Sequence, residues 1–198
     1  MSIERWEIDS SHSGIEFVVR HLLISKVRGR FSRWSGAIEV PDDDWACATV
    51  NVVVDASSID TGIAARDAHL RTPEYLDIER FPEIMFRSRL VTPAVDGRRR
   101  MVGTLSIKGH TGEVTLHVEE PRSIRDRWGN DRAAFSARAT LDRREFGITG
   151  NLALDSGVVI GRRIAVELDV VAVRQRAAGE AWRRSLRYPG GAVVTAGG

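Results

Sequence analysis

The residues of this chain best suited to acid–base chemistry stand together in the segment RDAHL, at positions 66–70. Histidine and aspartate are common general acids and bases. On a helix, however, Asp67 and His69 are two positions apart and point in different directions, so they cannot form a compact pair. Asp67 and Arg71 are four positions apart and can pair on the helix surface. We therefore interpret Arg66 and His69 as structural braces or as contacts to a polar head group, rather than as catalytic residues.

The remaining candidate residues show no arrangement typical of a catalytic or metal site. His21 shares its strand face with Ile15 and Phe17, so it is either a hydrogen-bonded core residue or a polar group in a pocket. The other three histidines lack the spacing of metal ligands, and Cys47 is the single cysteine. The nucleophile-elbow, P-loop, dinucleotide-binding and H-E-x-x-H motifs do not occur. We predict a protein without enzyme activity, metal or cofactor.

Composition and charge narrow the class of protein further. Hydrophobic residues make up 42% and charged residues 28% of the 198 residues, which suits one soluble globular domain. The formal net charge is +2, yet residues 174–198 alone carry five arginines and one glutamate. The rest of the chain is thus slightly acidic, which argues against a nucleic-acid-binding face. We assign residues 1–173 to one domain and residues 174–198 to a flexible basic tail.

The N-terminal segment MSIERWEIDSS lacks the hydrophobic region of a signal peptide. No apolar run approaches the length that a membrane-spanning helix needs. From these two observations we expect a cytoplasmic protein.

Alternation of apolar and polar residues dominates the sequence and predicts β-strands. Asp96-Gly97, a strong hairpin signal, joins two of the alternating segments. We predict eight main strands, near residues 14–22, 28–40, 47–55, 84–92, 101–108, 113–120, 133–142 and 163–173. Strands of similar length with short links form either a sandwich or a closed barrel, and closure removes the exposed edges.

The segment between the third and fourth predicted strands departs from this pattern. The stretch SSIDTGIAARDAHL offers helix-start residues, and TPEYLDI places Pro73 directly after Thr72, which is typical of a helix N-terminus. Pro82 then ends the helical structure before the strand at Ile84. We expect two short helices in this insert.

The inward-facing apolar side chains form either a packed core or a channel for a slim ligand. The strand pattern alone favours the packed core, because most protein interiors are fully packed. A channel also has a sound physical basis, since burying about ten methylene groups contributes about 8 kcal/mol before the cost of immobilising the ligand. Apolar walls would then supply affinity, and a few polar groups at the mouth would hold a head group.

Four segments carry a family resemblance that spans about residues 5–173. They are WEIDSSHSGIEFVVRHLLISKVRGRF, SSIDTGIAARDAHLRTPEYLDIERFPEIMFRS, GTLSIKGHTGEVTL and RREFGI. Together they resemble the YceI family of lipid- or polyisoprenoid-binding proteins. The resemblance implies an all-β fold, an eight-stranded antiparallel lipocalin-like β-barrel with a short helical insert between main strands three and four. It also implies a carrier or storage protein, often dimeric, whose internal tunnel holds a polyisoprenoid, an isoprenoid quinone or a fatty-acyl lipid.

We therefore predict a ligand-binding set of inward apolar residues and a few polar ones. The set is Phe17, Val19, His21, Phe31, Ile59, Arg66, His69, Leu70, Leu76, Phe86, Leu105, Phe135 and Phe146. The expected partners are a long-chain isoprenoid or acyl lipid and a second copy of the chain. Two alternatives stay open. One is an enzyme acting on a bound lipid or quinone, with His21 and His69 as acid–base candidates. The other is a ligand-free stress-response or structural module.

Overall fold

The computed structural model describes residues 2–21, 25–150 and 160–175, with the side chain of His21 outside the description. These residues form twelve strands and one α-helix, α1, over Ala64–Leu70. The strands are β1 Ile3–Ile8, β2 Gly14–His21, β3 Ser25–Phe31, β4 Trp34–Pro41, β5 Thr49–Asp55, β6 Ile59–Asp60, β7 Glu83–Val91, β8 Arg98–Ile107, β9 His110–Glu119, β10 Arg122–Arg125, β11 Asp131–Asp142 and β12 Ile160–Arg174. None of the helices in these ranges has the length and hydropathy needed to cross a membrane.

The sheet closes on itself through the pairing of β11 with β12. Around the barrel the neighbours are β11, β9, β8, β7, β5, β4, β1 and β12, all antiparallel, and β12 returns to β11 along eleven residue pairs. β1 and β2 lie one after the other along β12, with Trp6 opposite Arg174 and Val19 opposite Ile164. This arrangement confirms the predicted eight-stranded antiparallel barrel, in which closure leaves few unpaired edges.

The predicted strand over residues 28–40 is wrong in one respect, because the structure divides it into β3 and β4. At the break, the Ser32 N–H donates to the Ser58 carbonyl at 3.2 Å, and the Asp55 N–H donates to the Arg33 carbonyl at 3.0 Å. The chain therefore changes partners here, from β2 and β6 on one side of the break to β1 and β5 on the other. The inward parity shifts across the break, from Val27 and Phe31 in β3 to Trp34 and Ile38 in β4, and the sequence analysis missed this signal.

Three strands, β1, β6 and β10, lie outside the eight predicted main strands. β1 pairs with both β4 and β12 and is part of the closed barrel. β10 has only four residues and forms a hairpin with β11 at the edge. β6 has two residues and pairs with β3. All three strands are short, and short strands give little room for an alternating pattern to be recognised.

The insert contains one helix instead of the two expected. α1 forms as the first, whereas residues 71–81 are turns, so the prediction of a second helix is wrong. The N–H groups of Tyr75 and Asp77 both donate to the Thr72 carbonyl, at 3.0 and 2.9 Å. Asp77 has a φ of 51°, a left-handed conformation that stops a helix. Pro82 precedes β7 directly, as predicted.

Two groups of buried apolar side chains fill the opposite ends of the barrel. One includes Trp6, whose ring lies 5.5 Å from that of Trp45, itself 6.5 Å from Phe135. The other lies beneath the insert and includes Leu76 and Phe146. The first group contains residues from the end of β4 and the start of β8. The second contains residues from the end of β8 and from the turns after α1. The middle of the barrel therefore lies between the two groups.

Candidate ligand-binding cavity

The barrel encloses an apolar cavity of about 380 Å³, lined by residues of both core groups. This volume falls in the range of ligand pockets, roughly 300–1,000 Å³. Phe86, Phe135 and Leu168 point inward and line the cavity, yet they are only half-buried. Inward side chains in a filled core would be fully buried, so this partial exposure indicates a hollow interior.

Most of the predicted ligand-binding set surrounds this cavity. Its wall contains Phe17, Val19, Phe31, Ile59, Arg66, His69, Leu70, Leu76, Phe86, Leu105 and Phe135. For the members that lie in strands, this placement follows from the alternation, which turns every second residue inward. Arg66, His69, Leu70 and Leu76 reach the wall from α1 and the turns after it. The ligand contacts of this set stay a prediction.

Two members of the set are placed differently. The side chain of His21, at the end of β2, lies outside the described residues. Phe146 is only 1% exposed and belongs to the core group beneath the insert, outside the cavity wall. It stands in the 3₁₀ turn Arg143–Phe146, and its ring covers Gly112, where an added Cβ would meet it at 3.2 Å. The strand-parity argument does not apply to a residue in such a turn.

Asp67 and Arg66 brace the loop that leads into α1. The buried carboxylate of Asp67 accepts hydrogen bonds from the Thr61 N–H at 2.9 Å and from the Thr61 hydroxyl at 2.5 Å. Arg66 donates from Nε to Thr61 Oγ1 at 2.7 Å and from Nη2 to the Thr61 carbonyl at 2.8 Å. These bonds tie the start of the helix to the preceding loop.

The surface pair that helical spacing allows between Asp67 and Arg71 does not form. Arg71 instead donates to the backbone carbonyls of Ser57 at 2.8 Å and Ile59 at 2.9 Å. These carbonyls belong to a 3₁₀ turn and to the two-residue strand β6. A guanidinium carries several N–H donors, so one arginine can serve both carbonyl acceptors at once. Helical spacing alone could not show that these carbonyls compete with Asp67 for the Arg71 guanidinium.

His69 and Arg66 lie at the rim of the cavity. Both line its wall and both remain partly exposed, so they contact the interior and the solvent. His69 Nε2 lies 3.2 Å from Glu74 Oε2, and the imidazole meets the ring of Tyr75 edge-on at 5.0 Å. These neighbours hold His69 in place, and a polar group at the mouth of an apolar cavity is suited to contact a ligand head group.

Tyr75 is a wall residue that the sequence analysis missed. Its side chain is 4% exposed, and its buried hydroxyl has no hydrogen-bond partner among the described residues. Burial raises the pKa of Tyr75 above its usual value, so the hydroxyl stays protonated. The segment TPEYLDI could have indicated Tyr75 as a wall residue. We interpreted this segment as a helix, and that interpretation did not place Tyr75 in the interior.

Arg143 is the second polar wall residue that the sequence analysis missed. It is 3% exposed, and its Nη1 donates to the carbonyls of Ile148 at 2.6 Å and Gly150 at 3.1 Å. Burial lowers the pKa of the guanidinium from its usual value. The ring of Tyr75 rests on Gly150, where an added Cβ would meet it at 2.7 Å. Tyr75 and Arg143 therefore share one corner of the barrel. The segment RREFGI was the part of the sequence from which the role of Arg143 could have been recognised.

Comparison with known proteins now settles the family. A model of the YceI-like domain matches residues 6–172 of the chain. This chain belongs to the YceI family. A UPF0312 protein of Vibrio parahaemolyticus is 34% identical over 138 residues, covering 70% of this chain and 73% of that protein. A UPF0312 protein of Yersinia enterocolitica is 35% identical over 144 residues, with coverages of 73% and 74%.

Solved structures share the fold of this YceI-family chain at low sequence identity. BcnA of Burkholderia cenocepacia has a TM-score of 0.71 at 18% identity, over 83% of this chain and 98% of that one. A YceI protein of Campylobacter jejuni has a TM-score of 0.68 at 23% identity, with coverages of 79% and 90%. A polyisoprenoid-binding domain from Saccharophagus degradans has a TM-score of 0.65 at 17% identity, with coverages of 86% and 98%.

The chemistry of the YceI-family cavity is that of an apolar container with a few polar groups. Its polar side chains are Arg66, His69, Tyr75 and Arg143, besides the indole of Trp34. In the part of the chain that the structure describes, no cluster of three or more histidine, cysteine or acidic side chains could hold a metal ion. The arrangement can exclude water from an apolar chain and orient its polar end.

Proposed function

We propose that this YceI-family protein binds one long-chain apolar ligand inside its barrel and carries or stores it without chemical change. The ligand class is a polyisoprenoid, an isoprenoid quinone or a fatty-acyl lipid. The observation that carries the proposal is the cavity inside the barrel, whose wall is apolar on every strand that contributes to it. The structural likeness to a domain described as polyisoprenoid-binding supports the same ligand class.

The energetics favour an apolar chain over a polar metabolite. Each methylene group that leaves water contributes about 0.8 kcal/mol. A polar metabolite would instead lose its hydration and meet a wall with few hydrogen-bond partners, which costs several kcal/mol. Arg66 and His69 at the rim are suited to a ligand whose polar end stays near solvent.

The non-catalytic part of the proposal is supported by the surroundings of His69. Its Nε2 faces Glu74 and its ring faces Tyr75. Among the described hydrogen bonds, the His69 imidazole meets no serine, threonine or cysteine side chain, whereas a catalytic base needs a hydrogen bond to the nucleophile that it activates. A turnover assay on extracted ligand tests this part, because a carrier returns its ligand unchanged.

The first experiment is native mass spectrometry of gently purified full-length protein, followed by organic extraction and identification of the released molecule. We expect one prenyl or acyl lipid per chain. A ligand-free mass that persists after incubation with quinones and polyprenyl phosphates would overturn the proposal in favour of a module without a ligand. The same spectrum reports the oligomeric state and so tests the predicted homodimer.

A pair of matched variants tests whether the cavity is the binding site. Val19 lines the cavity, whereas its neighbour Val18 faces the outside of the same strand. Val19→Glu should abolish lipid uptake, because a carboxylate would then face the apolar interior. Val18→Glu should leave uptake intact. Circular dichroism must show that both variants fold, and uptake by a folded Val19→Glu variant would exclude the cavity as the site.

A further inference from the structure

A basic groove lies on the outer surface of the barrel, formed by strands β2, β3, β11 and β12. Its cationic side chains are Arg20, Lys26, Arg28, Arg162 and Arg163, all exposed. Two acidic side chains, Asp142 and Glu167, also line it, so positive charge exceeds negative charge by three. Its remaining lining is small or weakly polar, including Val18 and Ala165.

The charges of this groove are arranged at a cost to the fold. Arg20 and Lys26 stand directly opposite each other in the ladder between β2 and β3, where like charges repel. Arg162 pairs with Asp142. Among the described ion pairs, none involves Arg20, Lys26, Arg28 or Arg163. Arg163 stands opposite Asp142 in the ladder between β11 and β12, whereas Arg20 and Lys26 stand opposite each other and Arg28 stands opposite Val18. A surface that only had to be soluble would gain by placing an acid opposite one of these three cations, so the arrangement indicates an anionic partner.

The groove and the cavity occupy opposite faces of the same strands. Val19 and Val27 face the cavity, whereas Arg20, Lys26 and Arg28 face the groove. On β12, Ile164 faces the cavity and Arg163 the groove. Whatever binds the groove is therefore held one sheet thickness from the cavity.

We infer that the basic groove docks this protein on the surface of an anionic phospholipid bilayer. A bilayer presents many negative head groups in a plane, which suits several cations spread over one sheet face better than a single compact anion does. Each basic side chain near such a surface strengthens binding roughly fivefold. The inference goes beyond the proposed function and stands without it, because the charge arrangement alone carries it.

Flotation with lipid vesicles tests the docking surface on the full-length chain. We expect binding to vesicles that contain phosphatidylglycerol and none to vesicles of phosphatidylcholine alone. The binding should fall steeply as salt approaches about 1 M, where the screening length is about 3 Å. Equal binding to both kinds of vesicle, or binding that resists salt, would overturn the inference.

A matched pair of double variants localises the contact. Arg20→Glu with Lys26→Glu should weaken binding to the anionic vesicles at least about thirtyfold, because two attractive charges are lost. Arg87→Glu with Arg100→Glu changes the net charge equally at exposed positions on β7 and β8, so it should have a much smaller effect. Both double variants keep the basic residues 174–198, so a difference between them reports on the groove. Equal losses of vesicle binding in the two variants, or no loss in the groove variant, would overturn the inference.

Two further measurements separate this inference from its rivals. Tighter binding of a single-stranded oligonucleotide than of anionic vesicles would assign the groove to nucleic acid and overturn the inference. Uptake of an apolar ligand from detergent, measured on the Arg20→Glu, Lys26→Glu variant, should match that of the unchanged protein. In the unchanged protein, vesicle binding without uptake of an apolar ligand would count against the proposed function alone, whereas uptake without vesicle binding would count against the docking surface alone.

Discussion

The carboxylate of Asp67 accepts two hydrogen bonds from Thr61, one from its N–H at 2.9 Å and one from its hydroxyl at 2.5 Å. The contact joins the first turn of α1 to the loop that follows β6. Because Asp67 is buried, these bonds are made in a medium where an unpaired carboxylate would be costly. The RDAHL segment, which looks catalytic in isolation, thus fastens the insert that covers one end of the barrel.

Asp67→Asn should lower the free energy of unfolding by about 1–3 kcal/mol, because both Thr61 bonds end on Asp67 Oδ1 and weaken when that oxygen belongs to a neutral amide instead of a carboxylate. Chemical denaturation measures the change. Asp96→Asn is the matched control, since Asp96 lies in an exposed hairpin turn with a φ of 51° that asparagine tolerates. An effect of Asp67→Asn no larger than that of the control would show that the Thr61 contact adds nothing to stability.

Ala139→Phe should restrict the cavity and select for shorter ligands. Ala139 lines the cavity, so a phenyl ring there occupies space that the ligand would otherwise fill. Each methylene excluded costs about 0.8 kcal/mol of binding, or roughly a fourfold loss of affinity. Extraction and mass analysis of the bound lipid measure the shift. Ala165→Phe, on the outer face of β12, should leave the ligand profile unchanged. An unaltered profile for Ala139→Phe would place the ligand elsewhere.

Tyr75→Phe should raise the free energy of unfolding of the ligand-free protein by about 1 kcal/mol. The buried hydroxyl finds no hydrogen-bond partner within the described residues, and removing an unsatisfied polar group relieves its desolvation penalty. Thermal and chemical denaturation of delipidated protein measure the effect. Tyr75→Ala serves as the comparison and should destabilise by about 3 kcal/mol, because it leaves a void in the core. A loss of stability in Tyr75→Phe would show that the hydroxyl is satisfied in solution.

Acid should destabilise this protein partly through Asp126. Its carboxylate accepts hydrogen bonds from the N–H of Asn130 and from Arg132 Nε, both at 2.9 Å. These bonds lower the pKa of Asp126 from 3.8 to about 2. A group whose pKa is lowered in the folded state stabilises fully above its unfolded pKa, and the contribution disappears as pH falls through the folded value. The loss therefore occurs between about pH 4 and pH 2.

Asp126→Asn should flatten this part of the stability profile. The variant should be less stable than the unchanged protein at neutral pH, and the difference should shrink as the pH falls from 4 to 2. Urea denaturation at a series of pH values measures it. Asp43→Asn, in an exposed turn with a φ of 61°, is the control and should follow the unchanged protein. A difference that stays constant over this range would disprove the assigned role.

The alternation of apolar and polar residues was enough to predict most of the strands and of their inward face, whereas the choice of a barrel over a sandwich came from the family resemblance. Phe17, Phe86 and Leu105 could be assigned to the interior because parity along a strand is a local property. The single helix α1 was also predictable from its local composition. The prediction was wrong at Ser32, where the strand breaks and a shift of inward parity was missed, and at Asp77, whose left-handed backbone prevents a second helix.

The sequence by itself therefore determined the strand pattern, the position of the insert and the family, because each depends on neighbouring residues or on their order. Tertiary structure alone decided that the interior is hollow, that Tyr75 and Arg143 share one corner of it, and that Phe146 lies outside the wall. It also decided that Arg20 and Lys26 face each other on the outer surface. These facts depend on strand register and on how side chains from distant segments fill a shared space, and no local pattern specifies either.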